Sequence, residues 1–165
     1  MGGKQQFGVN YFDTYAPVVT WFGIRLMLIF ALLFGWSLRQ IDFVQAYPQA
    51  PIEQDMLIEL PQGIKTSHGN SKDHVLQLVS NLYGQKQAGR VWNGYLVHKL
   101  TSLGFQTSLI DEYVFYKDDV VFIVYVDDGI FVGPGDAKIT SLIKQLGQAG
   151  LDVEDQGDPA DYVYQ

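Results

Sequence analysis

Val120-Val121-Phe122-Ile123-Val124-Tyr125-Val126-Asp127-Asp128-Gly129-Ile130-Phe131-Val132-Gly133 places two adjacent carboxylates between two apolar, β-prone segments. Asp and Gly dominate hairpin turns, so one reading of Asp127-Asp128-Gly129 is a polar turn and nothing more. Charge gives the other reading. Neighbouring carboxylates repel, and burial raises the cost of ionising either one. A divalent cation removes that penalty, and hard oxygen ligands suit Mg²⁺.

Outward from this stretch, Tyr113 to Tyr116 and Val120 to Val126 predict a hairpin across Lys117-Asp118-Asp119, with Gly129 to Val132 completing an antiparallel ribbon. Gly133-Pro134-Gly135 breaks the ribbon, and Asp136 is expected to cap a helix to about Gln148 with Leu142, Ile143 and Leu146 inward. Upstream, Ala88, Val91, Trp92, Tyr95, Leu96, Leu100 and Leu103 recur on one face of a 3.6-residue period, and Gly104 ends that helix. Residues 37–43, 56–60 and 74–78 read as strands, residues 46–51 as a short turn or helical piece, and residues 61–72 as a loop. Thr20 to Phe34 reads as a capped helix, apolar nearly all round and hence central, with Gly35 as its stop. The tail from Leu151 is acidic, and Asp161 to Tyr164 is a candidate edge strand. Mixed, mostly antiparallel elements with helices on one face of a sheet predict an α+β fold.

The chain has 165 residues, the size of one domain or a piece of one. Apolar residues make up 47% and charged ones 18%, enough to pack a core and too few charges for a disordered chain. No Cys is present, which excludes disulfides and thiolate metal sites. The net charge of −7 is the wrong sign for an isolated nucleic-acid binder. Residues 18–38 form a membrane candidate, but Arg25 leaves an uninterrupted run well short of the about 20 residues a spanning helix needs. His68, His74 and His98 lack ligand-like spacing and read as surface residues.

Asp42, inside Ile41-Asp42-Phe43, is the second key carboxylate. Alone it reads as a solvated strand end, the default for Asp. If residues 37–43 pair beside the hairpin, Asp42 faces Asp127. Three carboxylates converging at strand ends can hold two Mg²⁺ ions about 3.5–4 Å apart, a geometry suited to in-line phosphoryl transfer.

Five segments in order then resemble the reverse transcriptase domain of copia-type long-terminal-repeat retrotransposons. They are Phe12-Asp13-Thr14-Tyr15-Ala16-Pro17-Val18, Gln40-Ile41-Asp42-Phe43-Val44-Gln45-Ala46-Tyr47, Ile58-Glu59-Leu60-Pro61-Gln62-Gly63, Leu82-Tyr83-Gly84-Gln85-Lys86-Gln87-Ala88-Gly89-Arg90-Val91-Trp92 and Tyr125-Val126-Asp127-Asp128. Each is weak alone; the collinear set covers most of the chain. The resemblance implies a palm-like antiparallel sheet, with Asp42, Asp127 and Asp128 as catalytic, metal-binding residues for Mg²⁺, or Mn²⁺ in its place. It implies a backbone carbonyl from Phe43 for the second metal and a Tyr47 ring under the incoming sugar, where a 2′-hydroxyl would clash. For Tyr47 the residue-level alternative is ordinary core packing. Tyr83, Gly84 and Gln87 would line the template and nucleotide side. Lys86 and Arg90 would lie nearest phosphate, or form a solvated helix start.

The implied partners are an RNA or DNA template with its primer, deoxynucleoside triphosphates and the rest of a retrotransposon polyprotein, with no membrane. The implied setting is a cytoplasmic virus-like particle, then the nucleus during integration. Gln85 stands where the family has Leu, Gly89 where it has Pro, and Tyr47-Pro48-Gln49-Ala50 where it has F-L-N-G. None of these removes a metal ligand. The chain is expected to be a palm with part of the fingers, lacking the upstream basic segment, the thumb and ribonuclease H, and to expose apolar surface as a result. The competing expectations are a catalytically silent transposon-derived remnant or interaction module, and a small membrane protein anchored by residues 18–38.

Overall fold

A computed structural model describes residues 3, 5–16, 19–61, 63–64 and 74–159. In chain order the elements are α1 (Trp21–Phe34), β1 (Ser37–Phe43), α2 (Ala46–Gln49), β2 (Leu57–Glu59), β3 (Val75–Gln77), α3 (Ala88–Ser102), β4 (Gln106–Thr107), β5 (Val114–Lys117), β6 (Val120–Tyr125), β7 (Asp128–Gly133), α4 (Asp136–Gln148) and β8 (Val153–Gly157). The fold is α+β. One antiparallel sheet runs β4-β5-β6-β7-β1-β8, and β2 pairs with β3 in a separate ribbon.

The alternation of the quoted stretch becomes the β6–β7 hairpin, and β1 lies against its open side with Ile41 opposite Gly129. Side chains alternate across a sheet, so Ile41, Phe43, Phe122, Val124 and Phe131 share one face. All five are buried, in one core with Trp92, Leu96 and Leu100 of α3 and Ile139, Leu142 and Leu146 of α4. Phe122 and Phe131 stack at 4.1 Å, and Phe43 meets Trp92 edge-on at 5.2 Å. Each buried Phe contributes about 1.5–3 kcal/mol, so this face anchors the sheet's centre. Gly104 ends α3 at φ +87°, and Phe105 folds back to donate its amide to Leu100.

Two expectations need correcting. Helix α1 has its predicted caps: Thr20 accepts from the Gly23 amide and Gly35 is left-handed. It is not central. Ala31 is buried, and Ile24 and Met27 pack against the core, but Trp21, Phe22, Leu33 and Phe34 are exposed, with Leu32 82% open. A helix beside a sheet offers it one stripe, and among the described residues no second layer covers the other. Asp136 does not cap α4; Gly135 holds that position. Asp136 is the first helical residue, where a carboxylate suits the helix dipole, and it pairs with Arg39, which also binds Asp155 at 2.8 Å.

The acidic tail supplies an unexpected strand, β8, antiparallel to β1 with a register shift at Gln40/Ile41. The edge strand expected at residues 161–164, most of the loop expected at 61–72 and His68 lie outside the described residues. Among the described residues no helix is long and apolar enough to cross a membrane.

Asn81 ties the segment before α3 to the core. It is fully buried, and its amide donates to Ala50 at 3.0 Å and Pro51 at 3.1 Å. Asn81→Ala would take the side-chain donor from both carbonyls, leaving Ala50 only the residue-81 backbone amide at 3.5 Å, a cost of about 1–2 kcal/mol; a denaturant midpoint unmoved by the change would refute that role.

Candidate active site

β1 and β7 end together, which sets Asp42 directly opposite Asp128. Asp127 occupies the two-residue turn between β6 and β7 rather than facing Asp42 in register as expected. The turn is pinned from two sides: the Phe43 amide donates to the Asp127 carbonyl at 2.7 Å, and the Trp92 indole donates to the Val126 carbonyl at 2.9 Å. Val126 has φ +56°. A left-handed backbone costs an L-residue about 1–2 kcal/mol, and a β-branched residue there is an outlier.

Asp127 is half-buried. Its Oδ2 accepts from the Tyr83 hydroxyl at 2.9 Å, whereas its buried Oδ1 has no hydrogen-bond partner. Burial, and then the charges of Asp42 and Asp128, push its pKa up against the Tyr83 hydrogen bond. Asp128 lies at the rim, its pKa raised by partial desolvation and by Asp42, with Gln40 acting in the opposite sense. Tyr83 in turn is pushed up to about 12, first by desolvation and then by its bond to Asp127. Tyr47 stacks on Tyr83 with ring centroids 4.5 Å apart.

The donor set fits a hard divalent cation. A buried, orphaned carboxylate oxygen beside two further carboxylates is the situation such an ion relieves. Asp42, Asp127 and Asp128 would hold it. Among the described residues, however, no three His, Asp or Glu side chains close up into a metal-holding group.

The remaining expected site residues divide into two groups. Phe43, Tyr47 and Tyr83 lie with the carboxylates: Phe43 by its backbone, Tyr83 by its hydroxyl and Tyr47 by stacking. Gly84 is exposed at φ +86° beside Tyr83. Gln87 is buried and accepts from Gln5 at 2.8 Å. Lys86 lies over the Tyr11 ring and donates to its hydroxyl at 3.1 Å. Arg90 pairs with Glu53 and donates to the Asp13 carbonyl. Both cations are therefore engaged within the chain. A cavity of about 370 Å³ lies away from the carboxylates between Gln5, Asn10, Met56, Glu59 and Gln85. Sequence reasoning missed the contacts of Trp92 and Tyr83 with the turn; a side chain bonding a backbone 34 residues away leaves no periodic signal.

Comparison with known proteins shows the family of the chain. Residues 1–164 match the family model described as reverse transcriptase (RNA-dependent DNA polymerase). The chain is 31% identical over 151 residues to the retrovirus-related Pol polyprotein from transposon RE1 of Arabidopsis thaliana, covering 89% of this chain and 10% of that protein. It is 28% identical over 167 residues to the retrovirus-related Pol polyprotein from transposon TNT 1-94 of Nicotiana tabacum, covering 98% of this chain and 12% of that protein. The chain thus spans about a tenth of the length of these relatives. It belongs to the reverse transcriptase family, of the kind found in copia-type retrotransposons.

Proposed function

We propose that the chain is the palm, with part of the fingers, of a retrotransposon Pol polyprotein, and that it adds deoxynucleotides to a primer 3′-hydroxyl on an RNA or DNA template. The observation that carries this reading is the carboxylate trio itself: Asp128 opposite Asp42 with Asp127 in the adjoining turn, one of its oxygens buried and unpartnered. Asp42, Asp127 and Asp128 hold the cations, Mg²⁺ by preference or Mn²⁺. Bound there, a metal pair supplies activation of the attacking hydroxyl and stabilisation of the leaving oxygen. The chain's own residues orient and select. Tyr83 fixes the Asp127 carboxylate, and Tyr47, braced by its stack on Tyr83, forms the floor under the sugar. The remaining polyprotein supplies the basic surface that a chain of net charge −7 lacks. A virus-like particle and then the nucleus are the setting this reading implies.

Primer extension on poly(rA) with Mg²⁺, by the chain joined to the rest of its polyprotein, tests the reading; no incorporation there would refute it. The second reading, a metal-binding but silent remnant or interaction module, is favoured by one observation: Lys86 and Arg90 are both committed to partners within the chain. In the active case, Tyr47→Ala is expected to raise ribonucleotide use relative to deoxynucleotide roughly 10–100-fold, the usual reach of steric discrimination in a pocket. An unchanged ratio would leave Tyr47 as core packing.

A further inference from the structure

We infer that Trp92 is a positioning residue: its indole N–H holds Val126 in the left-handed conformation that presents Asp127 to the site. Three observations meet here. Trp92 is 2% exposed and lies on α3, yet its one polar atom leaves the core to donate to the Val126 carbonyl at 2.9 Å. Val126 sits at φ +56°, where glycine is the favoured residue and a branched side chain needs external restraint. The next carbonyl, that of Asp127, is held from the other side by the Phe43 amide at 2.7 Å, and Phe43 packs edge-on against the same indole.

The turn is therefore clamped between α3 and β1 at consecutive carbonyls. Packing alone would be satisfied by any large ring at position 92. The N–H is what gives α3 a hold on the backbone of the turn. Loss of that bond frees a strained residue to relax, and the Asp127 side chain moves with it. This inference rests on the carboxylate reading above for its functional consequence, though not for the clamp itself.

The test replaces Trp92 in the full chain with 3-benzothienylalanine, which keeps the ring shape and puts sulfur in place of N–H. It is made in the native background and beside Val126→Gly, where the left-handed backbone is unstrained. Hydrogen exchange of the Phe43 amide reports the position of the Asp127 carbonyl, Mn²⁺ binding by electron paramagnetic resonance reports the carboxylates, and the thermal midpoint reports packing. In the native background the isostere should speed Phe43 exchange about tenfold, the scale of one hydrogen bond, and weaken Mn²⁺ binding several-fold with little change in midpoint. In the Val126→Gly background both effects should largely vanish. A lowered midpoint with exchange and Mn²⁺ binding unmoved, or equal effects in both backgrounds, would reduce Trp92 to core packing and overturn the inference. If the native chain binds no Mn²⁺ but Phe43 exchange still responds, the clamp stands and the carboxylate reading falls. If the isostere weakens Mn²⁺ binding while the native chain, joined to the rest of its polyprotein, fails to extend primers, the polymerase reading falls alone.

Discussion

Asp127→Asn is expected to lower template-directed incorporation by about 10³-fold or more while the fold remains intact. The Asn carbonyl can still accept from Tyr83, and the turn's two backbone clamps do not involve the side chain. On the proposed reading, what is lost is one charged oxygen ligand. Metal stabilisation of developing charge is worth several kcal/mol, and about 4 kcal/mol corresponds to three orders of magnitude in rate. Stability should move in the opposite direction. The Asp127 pKa is raised in the folded chain, chiefly by burial, so the folded state binds this proton more tightly than the unfolded state. As pH climbs from the ordinary carboxylate value through the raised one, the unfolded chain releases the proton first and stability falls. Metal-free Asp127→Asn should therefore match the native chain in acid and exceed it at neutral pH. Added Mg²⁺ should narrow the gap by stabilising the native chain alone. Midpoints that run parallel across pH would refute the burial argument; equal incorporation by the variant would refute the role of Asp127 itself.

Gly129→Ala should be among the most damaging changes of a single methyl. A Cβ at position 129 would lie 2.6 and 2.8 Å from two ring atoms of Phe122 and 3.0 Å from Ile41. Neither neighbour can withdraw freely. Phe122 is fully buried and stacked on Phe131, and Ile41 is fully buried on the adjoining strand. Overpacking costs typically 1–3 kcal/mol and occasionally more. At about 3 kcal/mol, a domain of this size loses roughly 6–12 °C of thermal midpoint. Relief by spreading β7 from β1 would also part Asp128 from Asp42, so incorporation should drop further than stability alone explains. A midpoint within a degree of the native chain would mean that the ring stack yields, and that the glycine is not required by packing.

The legible parts of the fold were those with local periodicity. The β6–β7 hairpin alternates apolar residues around a turn, and α3 repeats its apolar face every 3.6 residues; both stand where the pattern put them. Strand β8 was not legible, because Val-Glu-Asp-Gln-Gly carries no apolar alternation and gains its place by backbone pairing with β1. Helix α1 misled for a related reason. Uniform apolarity records no direction, so only the structure distinguishes the stripe of Ile24, Met27 and Ala31 from the exposed one. At the site, motif spacing brought Asp42 into view, but the register that sets it opposite Asp128 depends on strands far apart in sequence. Lys86 and Arg90 were visible as charges; their commitments to Tyr11 and Glu53 were not.

The strand order imposes a timetable on synthesis. β1 sits between β7 and β8, so neither of its partners exists until about 85 residues after it has left the ribosome. At bacterial or eukaryotic elongation rates that interval is on the order of ten seconds. Throughout it, a strand with two open edges that holds Ile41 and Phe43, preceded by the hydrophobic α1, waits for company. Sheet closure is then a late event, and the carboxylates of Asp42 and Asp128 meet only when it happens. A ribosome-stalled nascent chain ending before β7 should bind chaperones strongly and one extending past β8 much less, making this a protein whose yield is decided by what shelters its first strand.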